Sequence, residues 1–164
     1  MKIKSLTKIA VMAAAICVAT MFSIPIANGY IHLADALCML AGCYLGPFFG
    51  ALAAAIGSSL SDLFLSYPLY IPATFIIKGV IALLAGVFYK TVMKKHTYTC
   101  IPVALLAEAF MILGYYLYDA LIYSSFVSAA AGLWGNTMQA TASVVLFSFA
   151  FAIFDKKIIK DKKE

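Results

Sequence analysis

Long apolar runs separated by short polar or Gly/Pro breaks make up almost the whole of this chain. Within the runs, apolar residues neither alternate as in a strand nor form the single stripe of a soluble amphipathic helix, so the elements are predicted as helices that are apolar on most faces. The breaks fall around Pro25 to His32, at Gly46-Pro47, over Tyr67 to Ile71, at Lys94-Lys95-His96 and over Asp119 to Ser128. They leave helices at roughly 8–26, 33–45, 48–65, 72–93, 100–118 and 129–154. Pro72 stands in the first turn of the fourth helix, where its missing N–H costs nothing.

Composition decides the solvent. Hydrophobic residues make up 65% of the chain and charged ones 12%, with a mean hydropathy of +1.00, more apolar surface than a soluble core of this length hides. In a bilayer every backbone polar group must be met internally, which helices of this length achieve. The expectation is an all-α membrane protein, a six-transmembrane-helix bundle forming one integral domain over residues 1–164. The first apolar run follows a basic leader as a signal peptide does, but no A-x-A site precedes a polar mature start, so it reads as an uncleaved helix.

Charge then orients the bundle. Every basic residue besides the two histidines is a lysine, and eleven of the twelve flank the first helix, the end of the fourth or the end of the sixth. The positive-inside rule puts those regions and both termini in the cytoplasm of a cell-membrane protein. The segments around His32, Tyr67 to Ile71 and Asp119 to Ser128 then face outward. This distribution concerns topology and not nucleic acid. Cys17, Cys38, Cys43 and Cys100 lie in apolar runs without a CxxC pair, which argues for small apolar packers over zinc ligands or disulfides. Small residues recur at four-residue spacing at Ala10/Ala14 and Ala15/Ala19, and again at Gly46/Gly50 and Ala53/Gly57, as helices in close contact require.

Ionisable groups inside spans are expensive unless a partner or a cavity meets them. Lys78 lies about 9 Å along its helix from Pro72, and Glu108 about 15 Å below the outward end of its own. These two are the deepest candidates for a binding site; snorkelling of Lys78 to the headgroups and a structural hydrogen bond for Glu108 are the plain alternatives. Asp35, Asp62 and Asp119 sit at outward helix ends, where solvent or caps would satisfy them. Trp134, Asn136 and Gln139 place an indole and two amides just beneath the outer surface, a set suited to a small heteroaromatic ligand. Trp134, like Tyr67, Tyr70, Tyr115 and Tyr118, also fits an interfacial aromatic belt. His32-x-x-Asp35 offers too few ligands for a metal site. The chain has no P-loop, nucleophile elbow or HExxH, so neither catalytic residues nor a metal is expected.

The stretch GYIHLADALCMLAGCYLGPFFGALAAAIGSSLSDL, followed by YPLYIPATFIIKG, resembles the substrate-binding S components of energy-coupling factor (ECF) vitamin transporters. The resemblance covers nearly the whole chain, and the glycine-rich third helix and Tyr/Pro turn are similar to the riboflavin and hydroxymethylpyrimidine branch. It implies a subunit that captures a small water-soluble vitamin or precursor at the outer face. It also implies docking, through Ala10, Ala14, Ala15 and Ala19, to a transmembrane coupling subunit that works with two cytoplasmic ATPase subunits. This chain would bind no cofactor; ATP would be used by the partners. Lys2 stands where the nickel and cobalt branch has histidine, which disfavours a metal substrate. A buried cation beside a buried carboxylate favours a neutral or zwitterionic ring, such as a pyrimidine, thiamin-related or pyridoxine-related compound. The resulting expected substrate-binding set is Lys78, Glu108, Trp134, Asn136, Gln139, Tyr70, Tyr115 and His32. Riboflavin is the alternative ligand, and a solo carrier or channel the alternative mechanism.

Overall fold

The computed structural model describes residues 3–26 and 29–160, and from residue 154 onward only the backbone. The chain is helical apart from one β-ribbon. Helix α1 covers Ile3–Met21, strands β1 and β2 cover Ser23–Ile26 and Gly29–His32, and α2 covers Asp35–Leu45. Helix α3 (Pro47–Phe64) leads through a 3₁₀ turn at Pro68–Tyr70 into α4 (Ile71–Phe88), which continues as a π-helical turn over Tyr89–Met93. Then follow α5 (Cys100–Ile122), the single turn α6 (Phe126–Ala129) and α7 (Ala131–Lys160).

Three boundaries differ from the sequence expectation, one being the end of α7, which runs on to Lys160, six residues past position 154. The first helix stops at Met21, five residues short of position 26, and the last apolar residues pair as an antiparallel ribbon with Ser23 opposite His32 and Pro25 opposite Tyr30. Pro25 cannot continue a helix, and Ile24 and Ile26 are β-branched, so Ser-Ile-Pro-Ile suits an edge strand. Helix α5 runs past Tyr118 to Ile122 and so takes Asp119 into its last turn. Ser125 then caps α6, its Oγ accepting from the Ser128 N–H at 3.2 Å.

Among the described residues, four helical stretches are long and apolar enough to cross a membrane: Pro47–Phe64, Pro68–Met93, Thr97–Ile122 and Phe126–Ile153. Ser5–Met21 and Asp35–Leu45 are apolar but shorter. At 1.5 Å per residue, α2 is only about 16 Å long, roughly half a hydrocarbon core.

Helix α4 is central, touching α2, α3 and α5, while α7 packs on α5 and α2 and α1 lies against α3. Glycine makes the tightest approaches possible. A Cβ on Gly42 would stand 1.9 Å from the Ala82 carbonyl oxygen, and one on Gly57 2.4 Å from that of Ala13. The α1–α3 contact uses Ile9 and Ala13, packed with Ala53 and Gly57; Ile16 and Cys17 are buried as well, while Ala10, Ala14 and Ala15 are exposed.

Candidate functional site

The ribbon, the end of α3, the turn before α4 and the facing ends of α5 and α7 converge at one end of the bundle. They surround a narrow cavity of about 30 Å³, room for a water-sized group in this conformation. Tyr30 and His32 project into it from β2, two residues apart and therefore on one face of the strand. Asp62 comes from α3, Tyr70 from the 3₁₀ turn, and Thr74 and Lys78 from successive turns of α4. Tyr115 and Asp119 of α5 and Asn136 and Gln139 of α7 share a helix face by the same four- and three-residue spacings.

Lys78 is the cation of the site and its charge is paired. Its Nζ donates to Asp35 Oδ1 at 2.6 Å, with both side chains 0% exposed. The second carboxylate oxygen, Oδ2, accepts from Gln139 Nε2 at 2.6 Å, and Gln139 Oε1 in turn accepts from the His32 backbone N–H at 2.9 Å. One chain of contacts therefore ties α4, α2, α7 and the ribbon together. The Lys78 ammonium also lies 5.2 Å from the centre of the Tyr115 ring, in cation–π range. Burial, with the Lys78 charge adding to it and Asp35 opposing, lowers His32 to about 3. The imidazole is therefore neutral at physiological pH, and its Nδ1 accepts the Ala34 N–H at 3.1 Å.

Tyrosines close the rim. The Tyr30 hydroxyl donates to Asp62 Oδ1, and burial, then the nearby Asp62 charge, raises its pKa so that it stays a donor. Tyr70 donates to Asp119 Oδ1 at 2.8 Å, Tyr118 to the Leu69 carbonyl at 2.5 Å, and Thr74 shares a 3.0 Å hydrogen bond with Tyr115. The Tyr30, Tyr67 and Tyr70 rings follow one another at 5.1 and 6.3 Å.

Of the expected site residues, Lys78, Tyr70, Tyr115, His32, Asn136 and Gln139 line the cavity. Trp134 does not; it is 74% exposed, beside an outward-facing apolar groove with Leu33 and Met138. The indole sits on the other side of α7 from Gln139, as a separation of five residues dictates. Glu108 is 2% exposed and lies outside the cavity wall, and neither of its oxygens has a hydrogen-bond partner among the described residues. The partner of Lys78 is Asp35, which the sequence placed at a solvated helix end. Asp62 and Asp119, assigned the same way, are 1% and 2% exposed and face the cavity. The signal for all three acids was topological: the start of α2 and the ends of α3 and α5 all lie at the end of the bundle opposite the lysine-rich turns. Tyr30 was not among the expected residues; the segment read as an irregular connection, and only its folding as a strand over Gly29–His32 puts Tyr30 and His32 on one face.

A family model described as the ECF-type riboflavin transporter S component matches residues 1–156. A solved structure of the S component of a bacterial ECF transporter aligns with a TM-score of 0.69 at 19% identity, covering 98% of each chain. That likeness shows a shared fold. No individually curated protein matches the chain.

Proposed function

This chain belongs to the family of ECF-type riboflavin transporter S components, and from that premise we propose that its cavity captures a small water-soluble vitamin or vitamin precursor at the outer face of the cell membrane. The family is one of transport subunits and not of enzymes. The observation that carries the reading is a cluster of ten polar and aromatic side chains, with tyrosines at its rim, gathered around a narrow cavity inside an otherwise apolar bundle. A soluble ligand that enters it leaves water for hydrogen-bonding side chains and aromatic rings. A single-ring pyrimidine or pyridine vitamin offers such side chains polar edges and one aromatic face, and the walls part to admit it. Riboflavin is a second reading, favoured by the description of the matching family.

In this reading the chain is one membrane unit with six spans. The short α1 and α2 complete the bundle within the bilayer, and both termini lie on the cytoplasmic side with the lysines. The cavity then opens outward. The exposed Ala10, Ala14 and Ala15, with half-buried Ala19 on the next turn, form a small-residue face on α1 that a transmembrane coupling subunit approaches closely. Two cytoplasmic ATPase subunits supply the energy, and this chain itself binds no cofactor.

Mass spectrometry of small molecules co-purifying with the detergent-extracted protein, followed by calorimetric titration with pyrimidine, pyridine and flavin vitamins, tests the assignment. A vitamin bound in one-to-one ratio supports it. Uptake into vesicles holding this chain without ATPase subunits would instead establish a solo carrier.

A further inference from the structure

The charges around the cavity do not balance. Among the described residues Lys78 is the one cationic side chain in its wall, and Asp35 pairs with it at 2.6 Å. His32 is neutral. Asp62 and Asp119 remain, each accepting one tyrosine hydroxyl through Oδ1. Asp62 is the more demanding of the two: the residue is 1% exposed, it lines the cavity, and its Oδ2 is buried with no hydrogen-bond partner. A carboxyl group so placed is costly in the membrane interior until something donates to it. On α7, the Asn136 side chain also lines the cavity and makes no hydrogen bond of its own among the described residues, leaving an amide able to donate and accept.

Resting on the vitamin-binding reading above, we propose that the ligand presents an amino or cationic nitrogen to Asp62. The cavity thereby selects a nitrogen-donor heterocycle over one that offers only acceptors at that edge. A donor there answers the unmet Oδ2 through a charge-assisted hydrogen bond. An acceptor oxygen in the same place would face a carboxylate oxygen, acceptor against acceptor, and would leave the acid unmet. Asn136 matches the rest of such a ring edge, since an aminopyrimidine alternates donor and acceptor as an amide does. Asp35 plays no direct part in this discrimination, because both of its oxygens already accept; the Lys78 ammonium, with one N–H given to Asp35, has donors left for an acceptor elsewhere on the ligand.

The test compares two probes that differ in one group, 4-amino-5-hydroxymethyl-2-methylpyrimidine and its 4-methoxy analogue, which offers only acceptors at that edge, with riboflavin as a third. Each is titrated calorimetrically into wild type, Asp62→Asn and Asp62→Ala in detergent, with thermal unfolding of the unliganded variants reporting on folding. The expected result is at least a tenfold preference for the amino probe in wild type, shrinking to within about threefold in Asp62→Asn. The probe comparison in wild type stands even where a variant fails to fold. Equal affinity for the two pyrimidines, or riboflavin binding untouched by Asp62→Asn, overturns the proposal while leaving vitamin capture intact. A wild type that binds none of the three overturns both.

Discussion

Replacing Lys78 by methionine keeps the length and apolar stem of the side chain and removes the ammonium. Asp35 then retains Gln139 Nε2 on Oδ2 but loses its partner on Oδ1, in a position that is 0% exposed. Breaking one side of a fully buried ion pair costs ~3–5 kcal/mol, because the remaining charge stays desolvated. Asp35→Asn strands the Lys78 ammonium in the same way and carries the same ~3–5 kcal/mol. The double variant Lys78→Met/Asp35→Asn has no stranded charge, and the new amide oxygen still accepts from Gln139. Its expected cost is ~1–2 kcal/mol, within the range for losing a buried hydrogen bond. The two single costs therefore do not add, and the coupling amounts to several kcal/mol, well above the ~0.5 kcal/mol scatter of independent sites. Equilibrium unfolding in mixed detergent micelles, followed by far-ultraviolet circular dichroism on all four proteins, measures it. Additive costs, or single variants within ~1 kcal/mol of wild type, would refute the claim that this pair is dry and mutually dependent. The same geometry means that a Lys78 variant loses stability along with any affinity, so binding data on it alone do not assign the lysine to the ligand.

Three further outcomes follow from the same contacts. Gly42→Ala places a methyl 1.9 Å from a backbone carbonyl on α4, and forcing the helices apart is expected to destabilise by ~1–3 kcal/mol in the same unfolding assay, as overpacking does. His32, held at about 3 in the folded protein against ~6.5 unfolded, binds its proton only in the unfolded chain between those values. Stability from this group is thus fully present above about 6.5 and falls by up to ~1.4 kcal/mol per pH unit on acidification toward 3, a slope that His32→Gln should remove. Trp134→Ala, at a position 74% exposed and outside the cavity, should leave vitamin affinity within about twofold; a tenfold loss would place the indole on the ligand.

Much of this protein was determined by the sequence alone. Apolar run length and the Gly46-Pro47 and Tyr67 to Ile71 breaks locate the helices, because in lipid each run must satisfy its own backbone. Lysine placement separates the two ends of the bundle, and side-chain spacing on one helix puts Asn136 with Gln139 and Tyr115 with Asp119. Pairing between helices was not legible, since nothing in a one-dimensional pattern sets the rotation of one helix against another. Asp35 looked like a helix-end acid until the packing of α2 on α4, allowed by Gly42 against Ala82, brought it to Lys78. Glu108 looked equally suited to that lysine by depth, yet it lies outside the cavity wall. The rotation of α7 took Trp134 out and Gln139 in. The ribbon that delivers Tyr30 and His32 exists because β1 and β2 pair across a turn, a contact between segments that hydropathy reads as the tail of a helix and a loop. Tertiary packing decided which acids are left unmet, and with them the chemistry the cavity asks of its ligand.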